Sequence, residues 1–145
     1  MSVLVDTGVL YAHHDADASR HGDAVAAVDV VLDGSFGQPY VSDYVYDESV
    51  TLARRRTGSF EAAKALSDRI LGANGFPAVF EMLHLRRDDF DAAVETWTRY
   101  DDQTLSFTDA TIIALCERRG IDGVLSFDDD FDGLLTRHDP GDGGY

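Results

Sequence analysis

Four short apolar runs, residues 2–5, 38–41, 78–85 and 123–127, are separated by longer stretches with helical periodicity. Runs this brief, apolar on both sides rather than alternating, suit strands covered on both faces, the situation of a parallel sheet. The intervening stretches, residues 20–32, 44–56, 59–71, 86–100 and 105–119, carry apolar residues at helical spacing, and four of the five are closed by a glycine, at Gly34, Gly58, Gly72 and Gly120. Strand and helix in alternation specify an α/β fold with a mainly parallel central sheet flanked by helices. The 145 residues suit one domain, expected over 1–139, with residues 134–136 as a last edge strand and 140–145 as a flexible tail.

Charge narrows the classes. The chain holds 27 acidic against 12 basic residues, a formal net charge of −15, and Lys64 is its one lysine. A surface so acidic ordinarily repels nucleic acid. The excess of Asp over Glu and Arg over Lys is, however, the balance expected of a halophilic protein. At ~1 M salt the Debye length is about 3 Å, so local groups rather than net charge decide binding. No run of 18 apolar residues is present, and Met1-Ser-Val-Leu-Val-Asp6 lacks the basic leader of a signal peptide, so a cytoplasmic location is expected. Cys116, the one cysteine, falls on an apolar helix stripe and reads as core.

The sharpest anomaly lies between residues 105 and 131. Asp109 occupies the same helix stripe as Ile112, Ile113 and Cys116, where a carboxylate needs compensation. The strand that follows ends in Asp128, Asp129 and Asp130, as the first strand ends in Asp6. Parallel strands deliver such residues to one edge of the sheet. Glu48, beside the apolar face of its helix, completes a set of Asp6, Glu48, Asp109 and Asp128 or Asp130. Clustered carboxylates repel one another unless a cation intervenes, and oxygen-only ligands select hard ions such as Mg²⁺ or Mn²⁺. Each residue also has a plain structural role open to it: Ser106-Phe-Thr-Asp109 matches a capping box, and Asp6 suits a helix N-cap. Asp128-x-Asp130-x-Asp132-Gly133, with Asp139 in twelfth place, matches a calcium loop, but such a loop needs a helix on either side.

In these residues the chain resembles a PIN-domain ribonuclease of the VapC type, the toxins of toxin–antitoxin pairs. The resemblance spans nearly the whole chain. It rests on Val3-Leu-Val-Asp-Thr-Gly-Val-Leu-Tyr-Ala12, on Asp47-Glu48 in a helix ending Arg54-Arg-Arg56, on Leu105-Ser-Phe-Thr-Asp-Ala110 and on Leu125-Ser-Phe-Asp-Asp-Asp-Phe131. It implies a three-layer PIN-like fold and a Mg²⁺- or Mn²⁺-dependent endoribonuclease that leaves a 5′-phosphate and a 3′-hydroxyl. It also implies a homodimer restrained by a small antitoxin. Residue by residue, it gives Asp6, Glu48, Asp109 and Asp128 catalytic roles, and makes Asp6, Asp109, Asp128 and Asp130 the metal set. Thr7 and Thr108 match supporting hydroxyls, and Ser126 stands where threonine is commoner. A housekeeping nuclease of RNA processing, or a non-catalytic acidic or Ca²⁺-binding interaction module, are the alternatives.

Other residues carry weaker expectations. Asp47 points about 100° away from Glu48 on a helix, so one of the two is expected in the site. Arg54 and Arg55 are candidate RNA-phosphate ligands, with a favourable charge at a helix C-terminus as the plain alternative. Arg118 and Arg119 are expected to serve their helix end in that way. His13 and His14, in a polar and loop-like stretch from 13 to 19, and His21 are expected outside the chemistry, and Phe90 and Trp97 in the core.

Overall fold

The computed structural model describes residues 1–143. Five parallel strands form one sheet in the order β3-β2-β1-β4-β5: β1 (Ser2–Val5), β2 (Gln38–Ser42), β3 (Glu81–Leu83), β4 (Gly123–Leu125) and β5 (Arg137–His138). Six helices fill the connections: α1 (Thr7–His14), α2 (His21–Leu32), α3 (Asp43–Thr57), α4 (Phe60–Leu71), α5 (Arg87–Arg99) and α6 (Phe107–Arg119). The expected α/β fold, a parallel sheet flanked by helices, holds. No described helix is long and apolar enough to cross a membrane.

β1 is the centre of the sheet, and Val3, Leu4 and Val5 are wholly buried. From β1 the chain steps outward on one side through β2 to β3, then crosses back to place β4 and β5 on the other side. That reversal opens a crevice at the carboxyl ends of β1 and β4. α6 runs beside it with every residue from Asp109 to Cys116 buried, a wider seam than one stripe. Burial also pushes the Cys116 thiol up to about 12, consistent with a packing role. Gly120 stops α6 in the left-handed conformation, φ 65°, where its N–H donates to Cys116 O.

Four local expectations need correction. β3 covers three residues rather than eight, because the Leu85 N–H donates to the Asp43 carboxylate (3.1 Å) and the His84 carbonyl accepts from Arg119 (3.1 Å) instead of extending the ladder. The last strand is Arg137–His138, not residues 134–136. The N–H groups of Leu134 and Leu135 turn back to the Phe131 carbonyl, and the two side chains pack against the core. His13 and His14 lie in the last turn of α1 rather than in a loop. Within residues 140–145, residues 140–142 lie in a turn closed by the Asp142 N–H on the Asp139 carbonyl, and residues 144 and 145 lie outside the described residues.

The fourth correction concerns α5. Phe90 and Trp97 are 44% and 50% exposed and are not core. The helix instead buries Asp89, Ala93 and Thr96, because Asp89 is clamped by Arg118 and Arg119 of α6 and also accepts from the Arg86 N–H. Those ion pairs rotate the apolar stripe outward, where Phe90 and Trp97 flank the Phe107 ring at 5.5 and 6.3 Å. Arg118 and Arg119 therefore tie two helices together rather than only answering the α6 dipole. The arginines hold the Asp89 carboxyl far below the usual carboxylate range against the opposing effect of burial. Asp89→Ala is expected to cost about 3 kcal/mol in urea unfolding, since it orphans two guanidinium groups and removes a helix cap.

Candidate metal centre

Each acid reaches the crevice for a local reason. Asp6 is the residue after β1 and the N-cap of α1; its Oδ1 accepts from the Thr7 N–H (2.8 Å). Asp109 stands at the third position of α6 in a capping box: its Oδ2 accepts from the Ser106 N–H (3.1 Å) while its own N–H donates to Ser106 Oγ (3.0 Å). Asp128 follows β4 and caps a single 3-10 turn, Asp129–Phe131, by accepting the Asp130 N–H at Oδ1 (2.9 Å). Buried Phe131 anchors that turn. Asp130 accepts from the Thr104 hydroxyl (3.1 Å).

Carboxylate oxygens of Asp109, Asp128 and Asp130 lie within 4.8 Å of one another. Asp6 and Glu48 line the same cleft of about 680 Å³, together with Thr7, Ser126 and Arg20. Asp47, by contrast, is outside the lining and takes the Thr51 hydroxyl (3.5 Å). Ser126, buried at the end of β4, joins the strands chemically. Its hydroxyl donates to Asp6 Oδ2 (2.6 Å) and accepts the Asp128 N–H (3.0 Å). The capping and clustering roles of Asp109 thus coexist in one side chain.

The charges are held under stress. Asp109 and Asp6 are only 8% and 7% exposed. Burial, reinforced by the Asp6 and Asp128 charges and opposed by Ser106, raises Asp109 to about 7. Burial raises Asp6 to about 6, with the Ser126 and Thr7 hydrogen bonds pulling down and the Glu48 and Asp128 charges adding to the rise. Thr7 Oγ1 is buried in the same cleft without a hydrogen-bond partner. Hard oxygen donors, unfavourable mutual repulsion and an orphan hydroxyl fit a divalent cation of the Mg²⁺ class.

Some sequence candidates lie elsewhere. Arg54 and Arg55 line a separate groove between α3 and α4, with Tyr46 and Phe60. Thr108 is not in the lining of the acidic cleft. His14 is spent on the Ala62 carbonyl and Arg69, and His21 on the Ala12 carbonyl. The calcium-loop reading fails: a strand, β4, stands where the loop needs its entering helix, a 3-10 turn and β5 lie within the loop itself, and Asp132 is taken bidentately by Arg137. The sequence reading passed over Arg20 and Thr104, which approach from α2 and the α5–α6 connection and carry no local signature. It saw Ser126 only as a variant of a family position, although a hydroxyl at the end of a strand feeding an acid was a usable signal.

The PIN domain family pattern matches residues 3–134. The 23S rRNA-specific endonuclease VapC20 of Mycobacterium tuberculosis is 31% identical over 133 residues, covering 89% of this chain and 91% of that protein. Its crystal structure, a Sarcin-Ricin loop cleaving toxin, superposes with a TM-score of 0.74 at 30% identity over 89% of this chain and 92% of that one. A VapC ribonuclease of Archaeoglobus fulgidus is 24% identical over 132 residues, 90% of this chain and 80% of the relative. A toxin–antitoxin complex from Klebsiella pneumoniae, at 19% identity, shares the fold with a TM-score of 0.64 over 95% of this chain and 97% of that one.

An acid with a raised folded-state pKa keeps its proton in the fold after the unfolded chain has lost it, so stability declines as pH rises between the two values. For Asp109 the window runs from 3.8 to about 7. In EDTA the melting temperature is expected to fall from pH 5 to pH 8 more steeply in wild type than in Asp109→Asn. Asp89, ionised in both folded and unfolded states above pH 5, adds no slope here, and Asp6 is common to both proteins. Millimolar Mn²⁺ is expected to restore wild type at pH 8. Equal pH slopes in the two proteins would contradict the assignment of strain to this cluster.

Proposed function

The chain belongs to the PIN-domain family, and on that premise we propose that it is a VapC-type toxin, an endoribonuclease that hydrolyses RNA phosphodiesters with a carboxylate-held Mg²⁺ or Mn²⁺. The observation that carries the reading is the convergence of Asp109, Asp128 and Asp130 oxygens within 4.8 Å beside Asp6. A divalent ion bound there supplies Lewis-acid polarisation of a phosphoryl oxygen and a water acidic enough to attack near neutral pH.

The chain's own groups do the rest. Asp109, Asp128 and Asp130 hold the ion, and Asp6 stands as its further ligand. Ser126 fixes Asp6 against Asp128 by holding the hydroxyl proton on Asp6 Oδ2. Thr7 Oγ1 is buried beside Asp6 with no hydrogen-bond partner among the described residues. Glu48, exposed on α3 at the edge of the cleft, is placed to take a proton from water entering there. A small antitoxin, a homodimer and a cytoplasmic setting belong to the same reading. It draws support from the name of the 31%-identical relative and from the toxin–antitoxin complex of the same fold.

Two substitutions test it. Loss of a residue that merely supports a metal ligand costs about 10–100-fold in affinity or activity. Ser126→Ala is therefore expected to slow metal-dependent cleavage of single-stranded RNA by about that factor. Asp109→Asn, which replaces a ligand, is expected to lose more than about 100-fold with the fold intact by circular dichroism. Undiminished cleavage by Asp109→Asn would sink the assignment.

A further inference from the structure

An enzyme carrying a net charge of −15 and a cleft lined by Asp6, Glu48, Asp109, Asp128, Asp129 and Asp130 must still admit a polyanion. Among the residues lining that cleft one is a cation, Arg20, at the start of α2. Its guanidinium lies over the Phe127 ring, 4.8 Å from the centroid. Despite its acidic neighbours, Arg20 makes no side-chain hydrogen bond or ion pair among the described residues. Other arginines are committed: Arg118 and Arg119 to Asp89, Arg137 to Asp132, and Arg69 to His14 and the Phe76 ring.

Stacking engages the face of a guanidinium and leaves its edge of N–H donors pointing outward, the geometry that grips a phosphate with two parallel hydrogen bonds. The platform is also fixed relative to the chemistry. Phe127 lies in the chain between Ser126 and Asp128, both tied into the acidic cluster, and a side chain at Gly8 of α1 would meet the same ring. A group used only to neutralise the acids would pair with one of them; Arg20 stands beside them and pairs with none.

We propose that Arg20, laid on Phe127 at the acidic cleft, is a positioning residue that grips a backbone phosphate of the RNA strand and sets the neighbouring phosphodiester over the carboxylates. The inference rests on the ribonuclease reading. A phosphate grip carries no base information, so its loss weakens all single-stranded RNA alike.

The test compares wild type, Arg20→Gln and Arg20→Lys in two assays. One is steady-state cleavage of a single-stranded RNA oligonucleotide in Mg²⁺. The other is fluorescence anisotropy of the same RNA in EDTA across a salt series. Arg20 is exposed, so the variants are expected to melt as wild type does. Arg20→Gln is expected to raise KM about 10-fold with kcat nearly unchanged, to weaken binding in EDTA by a similar factor, and to lower the salt slope by about 0.7. Arg20→Lys is expected to recover part of that loss. Unchanged KM, affinity and salt slope in Arg20→Gln, with wild type cleaving and binding RNA, would overturn this inference alone. A wild type that neither binds nor cleaves RNA would overturn the ribonuclease reading and this inference with it.

Discussion

Repulsion among carboxylates held out of water is the constraint around which this fold is arranged. Asp6, Asp109 and Asp128 come from three separate parts of the chain and meet where β1 and β4 end. Each is also needed locally, as the cap of a helix or of a 3-10 turn, so none can withdraw without loosening the element it begins. Ser126 connects two of them, one hydroxyl serving both strands. The structure therefore stores an electrostatic penalty at the carboxyl edge of its sheet, where Asp6 and Asp109 are buried. On the reading proposed above, a cation bound there would convert that penalty into binding energy, making metal affinity and metal-free instability two aspects of the same arrangement.

The residues outside the cleft explain how the penalty is carried. The paired-in-sequence arginines Arg118 and Arg119 lock α5 onto α6 through Asp89, fixing the helix that presents Asp109. The same lock displaces Phe90 and Trp97 toward solvent. Net charge, meanwhile, is a poor guide to what the cleft accepts. A single guanidinium, positioned by stacking rather than by an ion pair, changes the local field where a strand would enter.

Much of this was legible in the sequence because it is local. Runs such as Val3-Leu-Val5 and Val124-Leu125 announce buried parallel strands, and acids at strand ends announce the edge where ligands gather. The capping box around Asp109 and the apolar α6 could be read from spacing alone. What escaped reading depends on partners far apart in sequence. The rotation of α5 is decided by an ion pair spanning about thirty residues, against a hydrophobic periodicity that pointed the other way. The edge strand at Arg137–His138 is selected by ladder bonds from Val124 and Ser126, not by the apolar Leu134 and Leu135. Arg20, at the cap of α2, and Thr104, in the α5–α6 connection, enter the cleft from positions that the apolar periodicity does not place. Arg54 and Arg55 share a helix with Glu48 yet line a different groove, because α4 packs beside them.

Proton release on metal binding tests the central claim most directly. Mn²⁺ titrated calorimetrically at pH 6 and pH 8.5, in buffers of different ionisation enthalpy, counts the protons displaced. If Asp6 and Asp109 hold protons in the metal-free fold near neutral pH, binding at pH 6 releases about one or more protons and binding at pH 8.5 releases almost none. Tight binding with no proton released at either pH, or no binding at all, would contradict it.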